Sequence, residues 1–333
     1  MDFQGYLRLI RRLPPRLVLT KAAGLTRRKA RAWGQLAADV ATGSHGGRPC
    51  AFNPAARIAI AGDDIPPDLE QALRGLGDAY LGHRFDLLGS GWVRPVYGFA
   101  APGFLGHRYA PSGLRPPGRD GDTLGLVVNR SNVARASEIW RLISNADYTP
   151  IDWQVDVRSG YRWSARRPSL TLSIPLDRGA DIKLPWELGR LQHLPQLALC
   201  AILADARRSG FEASTRYVSE ISDQLADFIA TNPPRFGVNW VGVMDVAIRA
   251  ANIALTLALL AGAGHALPPA MARVVAQSLD DHADYVITHL EYSETGRSNH
   301  YLADLGGLIW ANWMLDGPQA VTRLKFATAA MIA

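Results

Sequence analysis

The chain has 333 residues, of which 48% are hydrophobic and 20% charged. This composition excludes an intrinsically disordered chain, and the length suits one large domain or two. The formal net charge of +6 favours polyanionic partners such as acidic polysaccharide, nucleic acid or an anionic membrane surface. The two cysteines, Cys50 and Cys200, exclude a disulfide framework and a cysteine-based zinc site.

The amino-terminal residues 1–35 are rich in arginine and lysine and are predicted to be helical, with a break at Pro14 and Pro15. Because no uninterrupted apolar segment separates the basic residues, a secretion signal is excluded, and a cytoplasmic location is the default expectation. The best apolar run, residues 250–264, is shorter than the roughly 20 residues of a membrane span, so no transmembrane segment is predicted. We interpret the leader as a solvated helical face, with binding to an anionic surface as the alternative.

The segment between the leader and the main helical region carries a weaker signal. Residues 36–75 have a mixed pattern with a turn-rich linker at 42–49, and residues 85–135 are rich in glycine and proline. This composition predicts irregular loops packed over a helical core. We therefore divide the chain into a basic, partly irregular region, 1–135, and a helical domain, 136–333.

The carboxyl-terminal half predicts helix after helix. Long periodic segments are separated by glycine- and proline-containing breakers, which indicates antiparallel neighbours joined by short loops. The predicted helices cover residues 186–208, 213–231, 238–262, 268–291, 299–315 and 319 to the end. The predicted fold class is thus mainly α.

Two shorter segments precede these helices. Residues 151–163 place aromatic side chains among polar ones, with a predicted turn at Ser159 and Gly160. Further on, Pro185 suits the first turn of a helix, and Glu187 and Arg190 have the spacing of an ion pair.

The helix predicted at 238–262 has a polar line on an apolar body. Asp245, Arg249, Asn252 and Thr256 are spaced by four, three and four residues, which places them on one face. Such a helix is expected to be buried on most sides, with its polar line facing a wet cavity or a network of partners. A purely structural Asp245–Arg249 pair is the alternative interpretation.

The strongest catalytic candidates are Asn299 and His300. Ser298 is a plausible N-cap, which places both residues on the first turn of a helix, where free N–H groups and the positive dipole end favour an anion. A histidine there tends to stay neutral, as a general base requires. The alternative is a capping asparagine beside a packed histidine.

Four segments in this order and spacing resemble the heparinase II/III family of polysaccharide lyases, which includes alginate lyases. The resemblance covers roughly residues 80–316, and the segments are 151–163, 185–190, 232–249 and 298–305. It implies an (α/α) toroid, followed in the family by a β-sandwich. It also implies β-elimination on a uronate polymer such as heparan, alginate or bacterial exopolysaccharide. We predict no cofactor and no metal.

By the family's motif, Asn299 would stabilise the substrate carboxylate in its aci form, and His300 would remove the C5 proton or assist its removal. From the residues themselves we add candidates for sugar stacking and for binding of acid or hydroxyl groups. The stacking candidates are Trp153, Tyr161, Trp163 and Trp240. The polar candidates are Arg190, Asn239 and Arg249.

The sequence departs from the family after Trp313, where neither the family's tyrosine-containing segment nor the β-sandwich follows. We therefore expect an incomplete toroid from a truncated lyase, inactive or weak by itself, with the β-sandwich portion possible downstream. The alternatives are a non-catalytic domain that binds acidic glycans, and a basic module that binds nucleic acid or membrane through residues 8–31. Acidic polysaccharide is the partner we predict, and nucleic acid is not expected.

Overall fold

A computed structural model describes residues 30–48, 50–292 and 298–332. The chain divides into two compact units, Met1–Ser44 and His45–Ala333. In the first unit, the described part is a helix over residues 30–42, so most of the predicted leader helix lies outside the described residues.

The second unit is mainly helical, as the sequence predicts. Ten α-helices, numbered α1 to α10, lie within its described residues: Pro67–Leu81, Leu124–Val127, Val133–Trp140, Lys183–Gly189, His193–Asp205, Ser214–Thr231, Val243–Gly262, Pro269–Thr288, Asn299–Met314 and Pro318–Ile332. Single 3-10 turns cover Gly62–Asp64, Arg130–Asn132, Ser169–Thr171, Leu176–Arg178 and Val238–Trp240. One antiparallel sheet pairs β1, Phe85–Asp86, with β2, Trp92–Val93.

The core lies where α7 packs on α5, α8 and α9. Within α7, Ile253, Ala254 and Ala258 are fully buried, as expected for a helix that is apolar on most sides. The α7 and α9 backbones approach closely at Gly307, where a Cβ atom would lie 2.7 Å from the carbonyl carbon of Ala247. Glycine at this position therefore sets how closely the two helices pack.

The α7 helix is also the only described helix that is long and apolar enough to cross a membrane. Of its most apolar 18-residue stretch, 67% is buried inside the fold. Core helices of folded proteins pass the same test of length and composition, so α7 is weak evidence for a membrane span and no clear transmembrane segment is found among the described residues.

Most helix boundaries agree with the sequence prediction to within about three residues, and two predicted helices are each divided. Residues 186–208 form α4 and α5, with Leu191 between them at a φ of 56°. Residues 238–262 form a 3-10 turn and then α7. The predicted domain boundary at 135/136 falls inside α3, and the same compact unit lies on both sides of it.

A buried carboxyl group in α8 gives the fold a pH-sensitive contact. Asp281 accepts hydrogen bonds from the backbone N–H of Gly46 at 3.0 and 3.2 Å, and burial raises the pKa of Asp281 to about 7. The folded protein therefore holds this proton more tightly than the unfolded chain does. The stability that this group contributes is present in acid and is lost as the pH rises toward 7.

We expect Asp281→Asn to remove this pH dependence, because the amide has the shape of the protonated carboxyl group and does not ionise. The unfolding free energy of the variant minus that of the wild type should increase by about 1–3 kcal/mol as the pH is raised from 4 to 8. Urea unfolding at several pH values measures this gain, with Asp120→Asn as the exposed control. Parallel pH profiles for the wild type and Asp281→Asn would contradict the prediction.

Candidate functional site

The polar line of α7 faces a network of partners from other elements. Asp245 pairs with Arg190 at 2.8 Å, and Arg190 also pairs with Glu187 at 2.7 Å, as its spacing predicts. Asn252 donates a hydrogen bond to the backbone oxygen of Arg190. The partner of Asp245 is thus Arg190 of the segment after α4, and Asp245 and Arg249 form no direct ion pair.

Arg249 is fully buried and makes three hydrogen bonds. Its Nε donates to Nε2 of His282 at 2.8 Å, and its terminal nitrogens donate to the backbone oxygens of Gly189 and Asn239. Burial lowers the pKa of Arg249 to about 9, although nearby Asp245 raises it. This guanidinium therefore ties α7 to α8, to the end of α4 and to the 3-10 turn before α7.

The tautomer of His282 follows from these contacts. Its Nδ1 lies 2.6 Å from the backbone oxygen of Ser278 and must donate to it, which leaves Nε2 to accept from Arg249. Burial and the neighbouring guanidinium lower the pKa of His282 well below its ordinary value, so the ring is neutral.

Three of the four predicted sugar-stacking aromatics lie in the core. Trp153, Trp163 and Trp240 are at most 2% exposed, and the Trp240 indole donates to the backbone oxygen of Asn232 at 3.0 Å. The fold therefore uses these rings for packing, and they offer no surface on which a sugar can stack.

Two of the three predicted polar contacts are also internal. Asn239 is buried and donates to the backbone oxygen of Trp153 at 2.8 Å, and Arg249 has no exposed surface. Arg190 keeps 24% of its side chain exposed while it bridges Glu187 and Asp245. Of this group, Arg190 is the side chain that the structure places within reach of a ligand.

Tyr161 is half-buried and lines a cleft of about 280 Å³. Its ring contacts Tyr109 edge-on, with centroids 5.0 Å apart, and the cleft also contains Ser173, Asp177 and Arg178. Of the four aromatic residues predicted to stack on sugar, Tyr161 is therefore the one whose side chain stays partly exposed, and it lies beside polar groups.

Asn299 and His300 begin α9 as predicted. The Ser298 hydroxyl accepts from the backbone N–H of Tyr301 at 3.4 Å, which confirms the N-cap. Asn299 is exposed, and Nδ1 of His300 lies 3.2 Å from each carboxylate oxygen of Glu291. Residues 293–297, which precede the cap, lie outside the described residues.

Asp304, one turn further along α9, holds Glu291 in place. Its carboxylate accepts the backbone N–H of Glu291 at 2.9 Å, and burial raises the pKa of Asp304 to about 6. The Glu291 carboxylate lies beside Nδ1 of His300, so in the neutral tautomer with the proton on Nδ1 the Nε2 atom is an acceptor.

A line of buried acids on α6 was missed by the sequence analysis. Asp223 accepts hydrogen bonds from the backbone N–H groups of Ser144 and Asn145. Asp227 accepts hydrogen bonds from the backbone N–H of Ile151 and from the Tyr148 hydroxyl. Burial raises the pKa of Asp227 to about 6. The available signal was the spacing of Glu220, Asp223 and Asp227, which places three acids on one face of the helix.

Comparison of the chain with protein-family models, curated proteins and solved structures found no match.

Proposed function

We propose that this chain is a helical domain of the polysaccharide-lyase type, with its helices arranged as an (α/α) toroid, and that it engages an acidic, uronate-containing polysaccharide. The observation that carries the proposal is the start of α9, where Asn299 is exposed and His300 is oriented by Glu291. The net charge of +6 supports an anionic polymer as the partner.

In this proposal the substrate carboxylate lies at the amino terminus of α9. The Asn299 amide and the free N–H groups of the first turn stabilise its charge, which grows in the aci form as the C5 proton leaves. Nε2 of His300 accepts that proton, and Glu291 stabilises the imidazolium that forms. The electron pair of the C5–H bond forms the C4–C5 double bond as the C4–O4 bond breaks, and the leaving O4 takes a proton from solvent water.

The sharpest test is Asn299→Asp. Aspartate has the same shape and is favoured on the first turn of a helix, so the fold should be retained while a bound carboxylate is repelled. We expect the affinity for alginate or heparin to fall roughly tenfold or more at constant ionic strength. Titration calorimetry measures binding, and the ultraviolet absorbance of unsaturated uronate measures any cleavage.

Three controls complete this experiment. A neutral glucan should bind weakly to the wild type, and Ser298→Ala should report the effect of losing the cap alone. Replacing the leader arginines Arg8, Arg11, Arg12 and Arg16 by glutamine should leave uronate-specific binding in place. If that last variant abolishes binding while Asn299→Asp does not, the basic leader is the binding element and the proposal fails.

A further inference from the structure

A second polar cleft lies on elements different from those that carry Asn299. It has a volume of about 440 Å³ and lies between the end of α1, the loop before Ile151 and the first half of α6. The charged and polar side chains that line it include His83, Arg94, Asn145, Asp147, Tyr148 and Arg216. This volume is within the range of clefts that hold small ligands.

The inner wall of the cleft is rigidly built. Nε2 of His83 lies 2.6 Å from Oε1 of Glu220, and both residues are buried. Gln224 also donates to Oε1 of Glu220, at 2.8 Å, and Arg216 lies 3.3 Å from the other carboxylate oxygen. Glu220 therefore has a donor on each oxygen, and it holds Arg216 at the cleft.

His83 occupies a strained backbone position. Its φ is 51°, in the left-handed region that non-glycine residues rarely adopt, directly after the last turn of α1. Such a conformation is unfavourable for a residue with a Cβ atom and persists where surrounding contacts hold it in place. The 2.6 Å contact with Glu220 holds the imidazole at the cleft.

Arginine side chains lie beside polar side chains at the exposed part of the cleft. Arg94 is exposed and forms no ion pair with any residue that the structure describes. Arg216 keeps 38% of its side chain exposed. Asp147 is exposed on the loop before Ile151, and its backbone N–H donates to the Asn145 side-chain oxygen, which leaves the Asn145 amide hydrogens as donors.

We propose that this cleft binds a small hydroxylated carboxylate, of which a single uronic acid is an example. Arg94 and Arg216 bind the carboxylate, because guanidinium groups pair with it in a fixed, often two-pronged geometry. Asp147 and Asn145 bind the hydroxyl groups. The cleft then recognises the monomer by its charge and its hydroxyls together, independently of any chemistry at His300.

The test is titration of the full chain with D-glucuronate. Acetate, which has only the carboxylate, and D-glucose, which has only the hydroxyl groups, serve as comparison ligands. We expect saturable binding of D-glucuronate and much weaker binding of the other two. Arg94→Gln should raise the Kd for D-glucuronate about tenfold. Arg115→Gln removes an equal charge from an exposed loop outside the cleft and should leave that Kd unchanged.

Several outcomes would overturn this proposal. If D-glucose or acetate binds as tightly as D-glucuronate, the cleft does not recognise the carboxylate and the hydroxyl groups together. Equal effects of Arg94→Gln and Arg115→Gln would show only a general charge effect. If Asn299→Asp abolishes D-glucuronate binding and Arg94→Gln does not, the ligand occupies the α9 site, and the cleft proposal fails while the proposed function stands.

Discussion

Replacing Arg249 by alanine is expected to lower the free energy of unfolding by about 3–5 kcal/mol. The substitution removes a fully buried side chain that lies over the rings of Phe228 and Trp240, with centroid distances of 4.8 and 5.2 Å. It also leaves the backbone oxygens of Gly189 and Asn239 without this donor. Both the cavity and the unmatched acceptors destabilise the fold.

Urea denaturation followed by circular dichroism measures this loss. Arg249→Lys retains the charge but can satisfy fewer of the three acceptors, so its effect should be intermediate. Arg57→Ala, at an exposed position, should change the unfolding free energy by no more than about 0.5 kcal/mol. A loss below about 1 kcal/mol for Arg249→Ala would mean that the three contacts do not hold the surrounding elements together.

Alanine substitutions at two adjacent glycines in α9 are expected to change the stability of the protein in opposite directions. At Gly307 a Cβ atom would lie 2.7 Å from both the Cα and the carbonyl carbon of Ala247, and closer still to its oxygen. Because these are backbone atoms, α7 and α9 must separate, and we expect Gly307→Ala to cost about 2–3 kcal/mol.

Gly306→Ala is the matched control, since a Cβ atom there meets nothing within 4 Å. Both substitutions bring the same gain in helix propensity, so Gly306→Ala should stabilise the protein by about 0.5–1 kcal/mol. Differential scanning calorimetry of both variants measures the contrast. Equal melting temperatures for the two would show that the helices do not approach each other as described.

The sequence predicts the long helices well because their periodicity and breakers are local signals. Pro268 and Pro269 stand at the start of α8, and Ser298 caps α9. The interruption between α4 and α5 was not predictable in this way, because Leu191 takes a positive φ that no local pattern requires. Tertiary packing decides that position.

The sequence also predicts which face of α7 is polar, but not which partners it has. Asp245 and Arg249 have the spacing of a pair, yet Arg190 and His282 are their partners in the fold. His83 and Glu220 are 137 positions apart, so no local pattern joins them. The tryptophans predicted to stack on sugar rings show the same limit, because composition does not distinguish a buried ring from an exposed one.

The buried acids on α6 determine how the polar cleft beside His83 and Arg216 can vary. Asp223 and Asp227 grip the loop largely through the backbone N–H groups of Ser144, Asn145 and Ile151. Every residue except proline offers that donor, so the path of the loop depends little on its own side chains. Substitutions along it can therefore change which ligand the cleft accepts while the wall keeps its shape, which makes this loop a natural starting point for redesigning specificity.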